Sequence, residues 1–479
     1  MKILLIRPKP PKETIGLQHV MICEPLELEY LAGNISEDKA EVMILDMILE
    51  KKPIDFYIRE YLPDIVGITG YITHVGIIKE YSRIVKSILP DTITVAGGVH
   101  AEVVPEDFVD EAIDHIICSD PIGTFQRIVD HAIDRKKTPH IGIEGKEEQE
   151  ETPKRGDLHR IDGKIHIEGT YHPKIIQRKV ASFPYKPPAR DKVARYRSRY
   201  YYMFHNPCAL IKTSFGCPFN CSFCFCKEVT GGKYFARDIG SVVEELKSIP
   251  EQEIYIVDDD FLFDPARLTH FCELLEQEKL DKRFLVYGRA DFIAKNEPLM
   301  ARLAKNGLRA VIVGIESVRK KDLMDFNKKT TVEINRQAVD ILKKYNIELY
   351  ATMILNLDYS KEDFRVLEKN IKEMDISFVN LQPLTPLPGT DIFGSYEEQI
   401  IVPREDHAKW DLAHIVLHPT EMSIRAYYWQ IIRLYYRIVM RPKSILRMIR
   451  KYGFFEVLKM SWGSSFVSWQ YFKKMFHGG

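Results

Sequence analysis

Three closely spaced cysteines are the residues of this chain with the most specific chemistry. Cys217, Cys221 and Cys224 lie in the stretch TSFGCPFNCSFCF, with three and then two residues between them. Thiolates at such spacings on one loop can bind different irons of an iron–sulfur cluster. A structural zinc site and a fully ligated four-iron cluster each take four protein ligands, so three cysteines leave one metal position open. An open position is typical of a catalytic metal site.

A zinc site with a fourth cysteine is the alternative interpretation of this loop. Cys226 lies two residues after Cys224, and Cys208 begins the preceding strand pattern, so either thiolate could complete a set of four. Eight cysteines in 479 residues, three of them together, are not a disulfide framework and predict a reduced, cytoplasmic protein. The cysteines away from the loop are predicted to be buried small apolar residues: Cys23, Cys118 and Cys272.

The strand that carries the cysteine loop is the first of six strand patterns separated by helical segments. ALIKTSF leads into the loop, and the later patterns are EIYIVDDDF, RFLVYGRAD, RAVIVGIES, ELYATMILN and FVNLQPLTP. This α/β alternation over residues 206–395 predicts a (β/α)6 partial TIM barrel. Catalytic groups of such barrels lie at the C-terminal ends of the strands. The candidates that fall there are the cysteine loop, Asp258, Asp259, Asp260, Arg289, Glu316, Pro386 and Gly389.

Residues 1–140 alternate in the same way and predict a second parallel sheet. The strand patterns are KILLI, EVMILDM, DIVGITG, TITVAGGVH and HIIC, which fit a five-stranded flavodoxin-like (Rossmann-like) domain. Ligands of such folds bind at the carboxyl ends of the strands. Glycine there allows a large ligand to approach the backbone closely, although a Gly-Gly pair can also simply end a strand. The loop candidates are Thr69, Gly70, Tyr71, Gly97, Gly98 and His100.

Two regions lie outside these alternating patterns. Residues 141–205 combine a charge run with Pro, Arg and Tyr and are predicted to be a linker. Residues 396–479 are predicted to be helical, and from residue 421 onward they hold eleven Lys and Arg, two Asp and Glu, and three of the four tryptophans. This basic aromatic region predicts either a helical cap on the barrel or a helix lying at a membrane surface.

The overall charge and the apolar runs exclude several classes of protein. The 68 basic residues balance 68 acidic ones, so the whole chain gives no indication of a nucleic-acid partner. No run approaches the roughly 18 apolar residues of a spanning helix. The apolar run near the N-terminus is far shorter than that of a signal peptide. We therefore expect a cytoplasmic protein. If the basic aromatic region contacts a membrane, we expect the protein at the inner face of that membrane.

The Cys-x3-Cys-x2-Cys loop after the first barrel strand resembles the radical SAM superfamily. The segments GIES, LTPLPGT and VDDDF also resemble motifs of its later strands. The resemblance implies that Cys217, Cys221 and Cys224 hold a [4Fe–4S] cluster whose free iron binds S-adenosylmethionine (SAM), and that reduction cleaves SAM to a 5′-deoxyadenosyl radical. It implies an electron donor such as flavodoxin or ferredoxin. The SAM contacts that it implies are Glu316, Asp259, Arg289, Pro386 and Gly389.

The N-terminal domain narrows the resemblance to the cobalamin-binding class of the superfamily. That class includes anaerobic magnesium-protoporphyrin monomethyl ester cyclase-like proteins and hopanoid methylases, and the segment AGGVHAEVVPEDF is similar to it. Cobalamin is then expected at the loops of Thr69, Gly70, Tyr71, Gly97, Gly98 and His100. The cobalt-ligating Asp-x-His-x-x-Gly motif of other cobalamin domains is missing from the sequence, which implies cobalamin without a lower histidine ligand. The sequence departs from the motifs of this class at three further places. Phe215 stands where Arg is usual, SDPIG where a Gly-Glu-Gly-Glu-like turn is usual, and LNLDYSKED where a Gly-x-Pro-Gly-Glu-Thr turn is usual.

The expected function is cobalamin-dependent methyl transfer to an unactivated carbon of a small hydrophobic substrate. One SAM would methylate cobalamin, and a second would give the radical that abstracts a substrate hydrogen. Radical oxidation or ring closure of a porphyrin-like or lipid-like substrate is the enzymatic alternative. A non-enzymatic iron–sulfur or corrinoid-binding protein is the alternative of a different class.

Overall fold

The computed structural model describes residues 1–137, 158–161, 164–173 and 186–477 and divides into two compact units. Unit 1 consists of Met1–Lys9 and Pro25–Ala194. Unit 2 consists of Pro10–Glu24 and Arg195–Gly479. The short segment of residues 10–24 therefore belongs with the barrel rather than with the strand that precedes it.

Unit 1 contains a five-stranded parallel sheet. Its strands are β1 (Lys2–Arg7), β2 (Glu41–Asp46), β3 (Ile65–Thr69), β4 (Ile93–Gly97) and β5 (His115–Ile116). They pair in the order β2-β1-β3-β4-β5, which confirms the flavodoxin-like prediction. The central strand β1 reads as an unbroken apolar run because helices cover both faces of a parallel sheet, and residues 3–6 are fully buried.

Helices of unit 1 pack on this sheet through apolar faces. They are α1 (Leu26–Gly33), α2 (Ile54–Tyr61), α3 (Val75–Ile88), α4 (Val99–Val103) and α5 (Pro121–Lys137). In α3 the buried residues Val75, Ile78, Tyr81 and Val85 recur every three or four positions, as a helix with one apolar face requires. The apolar core under α3 also contains buried residues of the sheet strands.

Part of the predicted linker adds to unit 1. Residues 158–161 and 164–167 form an antiparallel hairpin. Beyond it, the backbone N–H of Tyr171 donates to the carbonyl of Ile116 at 2.7 Å, and Thr170 forms a bridge with Ile117. These contacts supply partners to the edge strand β5, whose backbone groups would otherwise be exposed.

Unit 2 contains six parallel strands in sequential order, which confirms the predicted partial barrel. They are β6 (Cys208–Ile211), β7 (Glu253–Ile256), β8 (Arg283–Gly288), β9 (Leu308–Glu316), β10 (Glu348–Leu355) and β11 (Phe378–Pro383). Residues such as Ile254, Val286 and Val313 join the apolar core with the surrounding helices. Because side chains alternate along a strand, their neighbours Tyr255, Tyr287 and Gly314 face the barrel interior.

The barrel helices follow the strands, and further helices complete the unit. They are α6 (Cys226–Thr230), α7 (Ile239–Ser248), α8 (Pro265–Glu278), α9 (Ala290–Lys295), α10 (Glu297–Lys305), α11 (Lys320–Asp325), α12 (Val332–Lys344), α13 (Lys361–Glu373), α14 (Phe393–Tyr396), α15 (Ile424–Val439), α16 (Pro442–Tyr452) and α17 (Phe454–His477). Among the described residues, no helix combines the length and the apolar character needed to cross a membrane.

The C-terminal region contains the predicted helical cap. Helix α15 buries Tyr427, Tyr428, Ile431 and Leu434, which join the core of the barrel unit. The hydroxyl of Tyr427 donates to the carbonyl of Asn356, just after β10, at 2.8 Å. The cap interpretation therefore holds for α15.

Candidate active site

The strand that leads into the cysteine loop is fixed by a buried carboxylate. Asp258, just after β7, has no exposed surface and accepts hydrogen bonds from the backbone N–H of Thr213 at 2.6 Å and from its hydroxyl at 2.5 Å. The hydroxyl of Ser214 donates to it at 2.6 Å. Three donors on one buried carboxylate satisfy its lone pairs and hold the start of the loop against the neighbouring strand end.

Asp259 holds the loop from the same strand end. Its carboxylate accepts a hydrogen bond from the backbone N–H of Gly216 at 2.7 Å, and the thiol of Cys226 donates to it at 3.6 Å. The sequence predicted a SAM contact for Asp259. The contacts found are within the protein and support the cysteine loop, so a SAM contact stays a prediction.

Arg289 lies against the sulfur of one cysteine of the motif. Its Nη1 is 3.9 Å from Sγ of the buried Cys221, and its guanidinium carbon lies 3.6 Å from the ring centroid of Phe219. Its Nε donates to Asp291 at 2.9 Å and its Nη2 to the carbonyl of Lys328 at 2.8 Å. Each guanidinium nitrogen thus has a partner within the protein, so Arg289 supports the cysteine loop, and its contact with SAM stays a prediction.

Glu316 forms a buried ion pair at the end of β9. Its Oε1 accepts a hydrogen bond from Nζ of Lys328 at 2.7 Å, and both side chains are almost fully buried. Glu316 has a φ of 60° where the register with β10 shifts. A Cβ on the preceding Gly314 would lie 2.0 Å from the Glu316 carboxylate and 2.6 Å from Lys328 Nζ. Glycine is therefore required for the carboxylate to fold back over the strand.

Lys328 is a site residue that the sequence analysis missed. It lies between α11 and α12, outside any recognised motif, and the positive charge of its buried ammonium is balanced by Glu316. Its Nζ also lies 5.8 Å from the ring centroid of Phe223, within the cysteine loop. A buried lysine needs a carboxylate partner, but the sequence does not show which lysine is buried.

Asp260 differs from its two neighbours because its carboxylate oxygens have no hydrogen-bond partner among the described residues. Burial raises the pKa of Asp260 to about 8, although the positive charges of Arg289 and Lys328 oppose this rise. An unpartnered buried carboxyl group beside two cations is typical of a binding site, because such groups are otherwise satisfied within the protein.

The thiols of the motif fit a cluster better than a zinc ion. Burial raises the pKa of Cys217 to about 12 and also raises that of Cys221, so metal binding must displace their protons, whereas the hydrogen bond with the Cys226 side chain lowers the pKa of Cys224 to about 7. Within the described residues, no three His, Cys, Asp or Glu side chains converge to hold a single metal ion. In a four-iron cluster each thiolate binds its own iron, so such convergence is not required. Cys208 begins β6, whereas the cysteine loop follows its other end, which removes Cys208 as a fourth zinc ligand.

The turn after β11 also contacts the cysteine loop. Pro386 is buried, and Gly389 has a φ of 89° at the exposed end of the turn. The backbone N–H of Ile392, just after this turn, donates to the carbonyl of Ser222 at 3.3 Å. The predicted late-strand motif therefore lies beside the cysteine loop, and its contact with SAM stays a prediction.

The barrel interior next to these strand ends combines aromatic and polar side chains. The ring of Tyr287 is 38% exposed and lies 6.0 Å from that of Tyr255. By the strand alternation, Thr352, Asn380 and Gln382 face the same interior and are partly accessible. Their side chains have no hydrogen-bond partner among the described residues. An accessible interior with aromatic walls and free amides is a suitable pocket for a ligand.

The loops at the carboxyl ends of β3 and β4 form the candidate site of unit 1. Gly98 has a φ of 110°, and a Cβ there would lie 2.4 Å from the carbonyl oxygen of Gly70, so glycine lets these two loops pack together. Gly97 precedes it, and Thr69 is nearly buried at the end of β3. Tyr71, by contrast, is 64% exposed. Its exposed ring and the bare glycine backbone fit a large flat cofactor such as a corrin.

His100 does not face this edge as a free side chain. It is 2% exposed, its Nε2 lies 2.8 Å from Oδ2 of Asp107, and its ring packs near Phe108. This arrangement gives His100 a structural role, and its predicted contact with the cofactor stays a prediction.

His74 is likewise held by its own loop. Its Nδ1 accepts a hydrogen bond from the backbone N–H of Tyr71 at 3.3 Å. Burial lowers the pKa of His74 to about 4, and the positive charge of Arg7 adds to this effect. The imidazole is therefore neutral at physiological pH, and the nitrogen that accepts this bond is not free for a metal.

We expect cob(II)alamin bound to this protein to lack a protein histidine ligand. The reason is the missing Asp-x-His-x-x-Gly motif together with the internal partners of His74 and His100. The measurement is the electron paramagnetic resonance spectrum of the bound cob(II)alamin. This spectrum should be the same in protein labelled with ¹⁵N-histidine as in unlabelled protein. A change in nitrogen splitting on labelling would contradict this prediction.

Comparisons with known proteins agree with both units. The B12 binding domain family matches residues 14–129, and the Radical SAM superfamily matches residues 211–370. The hopanoid C-3 methylase of Methylococcus capsulatus is 25% identical over 437 residues, which are 90% of this chain and 79% of that protein. The anaerobic magnesium-protoporphyrin IX monomethyl ester cyclase of Rubrivivax gelatinosus is 24% identical, covering 88% and 74%.

A solved structure supports the fold. The radical SAM methyltransferase TsrM of Kitasatospora setae, with cobalamin and a [4Fe–4S] cluster bound, superposes with a TM-score of 0.64 at 17% identity. The match covers 92% of this chain and 89% of that protein. The two family matches give a [4Fe–4S] cluster, SAM and cobalamin as cofactors, and the cysteine loop and the glycine-containing strand-end loops of unit 1 fit them. The chain is an enzyme that combines a B12-binding domain with a domain of the Radical SAM superfamily.

Proposed function

We propose that this enzyme transfers a methyl group to an unactivated carbon of a largely hydrophobic small molecule. The observation that carries the proposal is the three-cysteine loop at the mouth of an accessible, aromatic barrel interior, in a chain that also has a B12-binding domain. The cluster supplies the electron that cleaves SAM, and cobalamin supplies the transferable methyl group.

The residues of the chain act by binding and orienting. Cys217, Cys221 and Cys224 hold the cluster, and the guanidinium N–H of Arg289 on the Cys221 sulfur stabilises negative charge there. Asp258 and Asp259 fix the loop to the end of β7. Asp260, Glu316 and the turn from Pro386 to Gly389 lie at the same strand ends and are proposed to contact SAM.

The barrel interior supports a substrate with an apolar body and a few hydrogen-bonding groups. Tyr255 and Tyr287 supply aromatic wall, whereas the side-chain amides of Asn380 and Gln382 can both donate and accept. A pure hydrocarbon would leave these amides unpaired when it excluded water, at a cost of about 1–3 kcal/mol for each unsatisfied group. Polycyclic or lipid-like molecules that carry oxygen or nitrogen functions fit this interior better.

Names of relatives support two versions of the chemistry. The hopanoid relative is named a methylase, which supports methyl transfer, and the protoporphyrin relative is named a cyclase, which supports radical oxidation or ring closure as the second candidate. Both versions use the same three cysteines and the same barrel interior. They differ in whether a methyl group of SAM appears in the product.

The test is product analysis with methyl-labelled SAM. The reconstituted enzyme would be incubated anaerobically with reductant, cobalamin and candidate substrates of the lipid and porphyrin classes. Label in a product together with 5′-deoxyadenosine supports methyl transfer. An oxidised or cyclised product without label favours the second candidate, and no 5′-deoxyadenosine with any substrate would return the chain to the non-enzymatic alternative.

Two partners belong to the proposed function. The electron that reaches the cluster is proposed to come from a small redox protein such as flavodoxin or ferredoxin. A hydrophobic substrate is concentrated in membranes. We therefore also propose that the basic C-terminal region makes peripheral contact with the inner face of a membrane.

A further inference from the structure

The last helix, α17, packs on the rest of unit 2 with one face, and in addition the ring of Phe466 stacks on that of His19 at 4.5 Å. Val457 and Tyr471 on this inner face are buried, and the ring of Tyr471 lies 6.1 Å from that of Tyr428 and 6.3 Å from that of Tyr435. Both of these partners are residues of the cap helix α15. The inner face therefore accounts for how the helix is held against the barrel unit.

The opposite face of α17 is apolar and exposed. Phe455 is 80% exposed and Trp462 70%, while Leu458 and Trp469 are more than half exposed. With Phe466 they recur at intervals of three, four or seven residues, so they share one side of the helix. We call this set the aromatic face: Phe455, Leu458, Trp462, Phe466 and Trp469.

Such a face is unusual on a helix that is surrounded by water. A surface helix normally presents polar residues on the side away from the core. From the exposed fractions and the size of these side chains, the aromatic face presents on the order of 600 Å² of apolar surface. That is at the upper limit of the largest apolar patch of an ordinary monomer, and such patches mark interaction sites.

Cations outnumber acids on the last two helices, although Arg447 and Lys451 of α16 are ion-paired with Asp375 and Glu348. Helices α16 and α17 contain seven Lys and Arg and a single acidic residue, Glu456. Lys443, Arg450 and Lys459 are exposed and have no carboxylate within ion-pair distance among the described residues. Lys473 lies 5.9 Å from the ring centroid of Trp469, beside the aromatic face itself.

We propose that α16 and α17 form a docking surface for an anionic phospholipid membrane. The aromatic face would enter the boundary between headgroups and acyl chains, and the surrounding cations would contact the lipid phosphates. Tryptophan is favoured at this depth because its ring is apolar while its N–H is polar. The helix lies on the membrane in this proposal and does not cross it.

The charge distribution favours a membrane over a second copy of the chain. In a twofold dimer the same surface meets itself, so the excess of cations on α16 and α17 would be opposed by identical cations. Anionic lipid complements both the cations and the apolar side chains. That the contact gives access to a hydrophobic substrate rests on the proposed function. The proposal that α16 and α17 dock on a membrane does not depend on that function.

The test is co-sedimentation of the purified full-length protein with vesicles. Vesicles of phosphatidylcholine alone would be compared with an equal mixture of phosphatidylcholine and phosphatidylglycerol, at low and high salt. We expect binding to the anionic vesicles that weakens with salt. The double variant Trp462→Ser/Trp469→Ser is expected to lower the partition coefficient at least about tenfold. The matched control is Val366→Ser, which removes an exposed apolar side chain of α13 and should bind as wild type.

Three outcomes would overturn the proposal. Wild-type protein that does not bind anionic vesicles is one, and a double variant that binds as well as wild type is another. The third is a wild-type dimer, seen by sedimentation velocity, that the double variant converts to monomer, because the aromatic face would then be a contact between two copies of the chain. Iron content and 5′-deoxyadenosine formation without vesicles should be unchanged in the double variant. These two readouts test the proposed function separately from the membrane contact.

Discussion

Replacement of Cys221 by serine is expected to abolish cluster binding and SAM cleavage. Cys221 is buried, and it is the thiol of the motif that lies beside the guanidinium of Arg289. A serine hydroxyl is a poor ligand for iron, because iron–sulfur clusters are held by thiolates. We expect the iron and sulfide content after anaerobic reconstitution to fall, and 5′-deoxyadenosine formation to fall more than about 100-fold.

The matched control for this prediction is Cys226→Ser. Cys226 is the first residue of α6, and its thiol is hydrogen-bonded to Cys224 and donates to Asp259. We expect this variant to keep its iron and its SAM cleavage. If Cys226→Ser lost iron as completely as Cys221→Ser, four cysteines would ligate the metal, and the open-iron interpretation would be wrong.

Replacement of Lys328 by methionine is expected to destabilise the barrel unit by about 3–5 kcal/mol. The substitution removes the cation that lies 2.7 Å from the buried carboxylate of Glu316, while methionine preserves much of the volume. Breaking a buried ion pair from one side leaves a charge without a partner, which costs more than the pair itself contributes. The measurement is denaturant unfolding of cluster-free protein under reducing conditions.

The double variant Lys328→Met/Glu316→Gln separates the pair from the packing. Because no uncompensated charge is left, it should recover most of the stability that the single variant Lys328→Met loses. A double variant whose loss equals the sum of the two single losses would show that the two residues do not interact.

The strands and their order followed from the sequence because the signal is local. Each buried strand is a short apolar run followed by an amphipathic helix, so β1 to β5 and β6 to β11 could be read in order. The three cysteines of the loop are likewise a local signal, because they lie within a few residues of one another. The separate placement of residues 10–24 could not be predicted, because it depends on contacts with residues hundreds of positions away.

Strand positions placed the candidate site residues correctly, whereas their side-chain contacts became visible only in the structure. Asp259 and Arg289 lie at the strand ends where the sequence placed them, yet their contacts are with the cysteine loop. His100 lies after β4 as expected, but its ring is turned to Asp107. Strand position determines which residues approach a site, whereas the direction and partner of each side chain depend on packing that a single sequence does not contain.

The two interpretations of the C-terminal region concern different helices, because the structure shows the cap for α15, whereas the membrane surface is our proposal for α16 and α17. The basic and aromatic composition of residues 396–479 suggested a cap or a membrane surface, and composition alone could not separate them. In the structure α15 buries its aromatic residues in the barrel core, whereas α17 exposes a row of them. Both helices contain tyrosine or tryptophan at helical spacing, so only burial distinguishes them.

The placement of residues 10–24 has a consequence for how the chain can be made and divided. The backbone N–H of Ile15 donates to Asp411 at 2.6 Å, across 396 positions of sequence, and the carboxylate of Glu24 accepts from the backbone N–H of Leu210. During synthesis this early segment waits without its partners until most of the polypeptide has left the ribosome. A fragment that starts at Arg195 would lack it, so a barrel expressed alone is incomplete unless residues 10–24 are supplied in the same polypeptide or as a separate peptide.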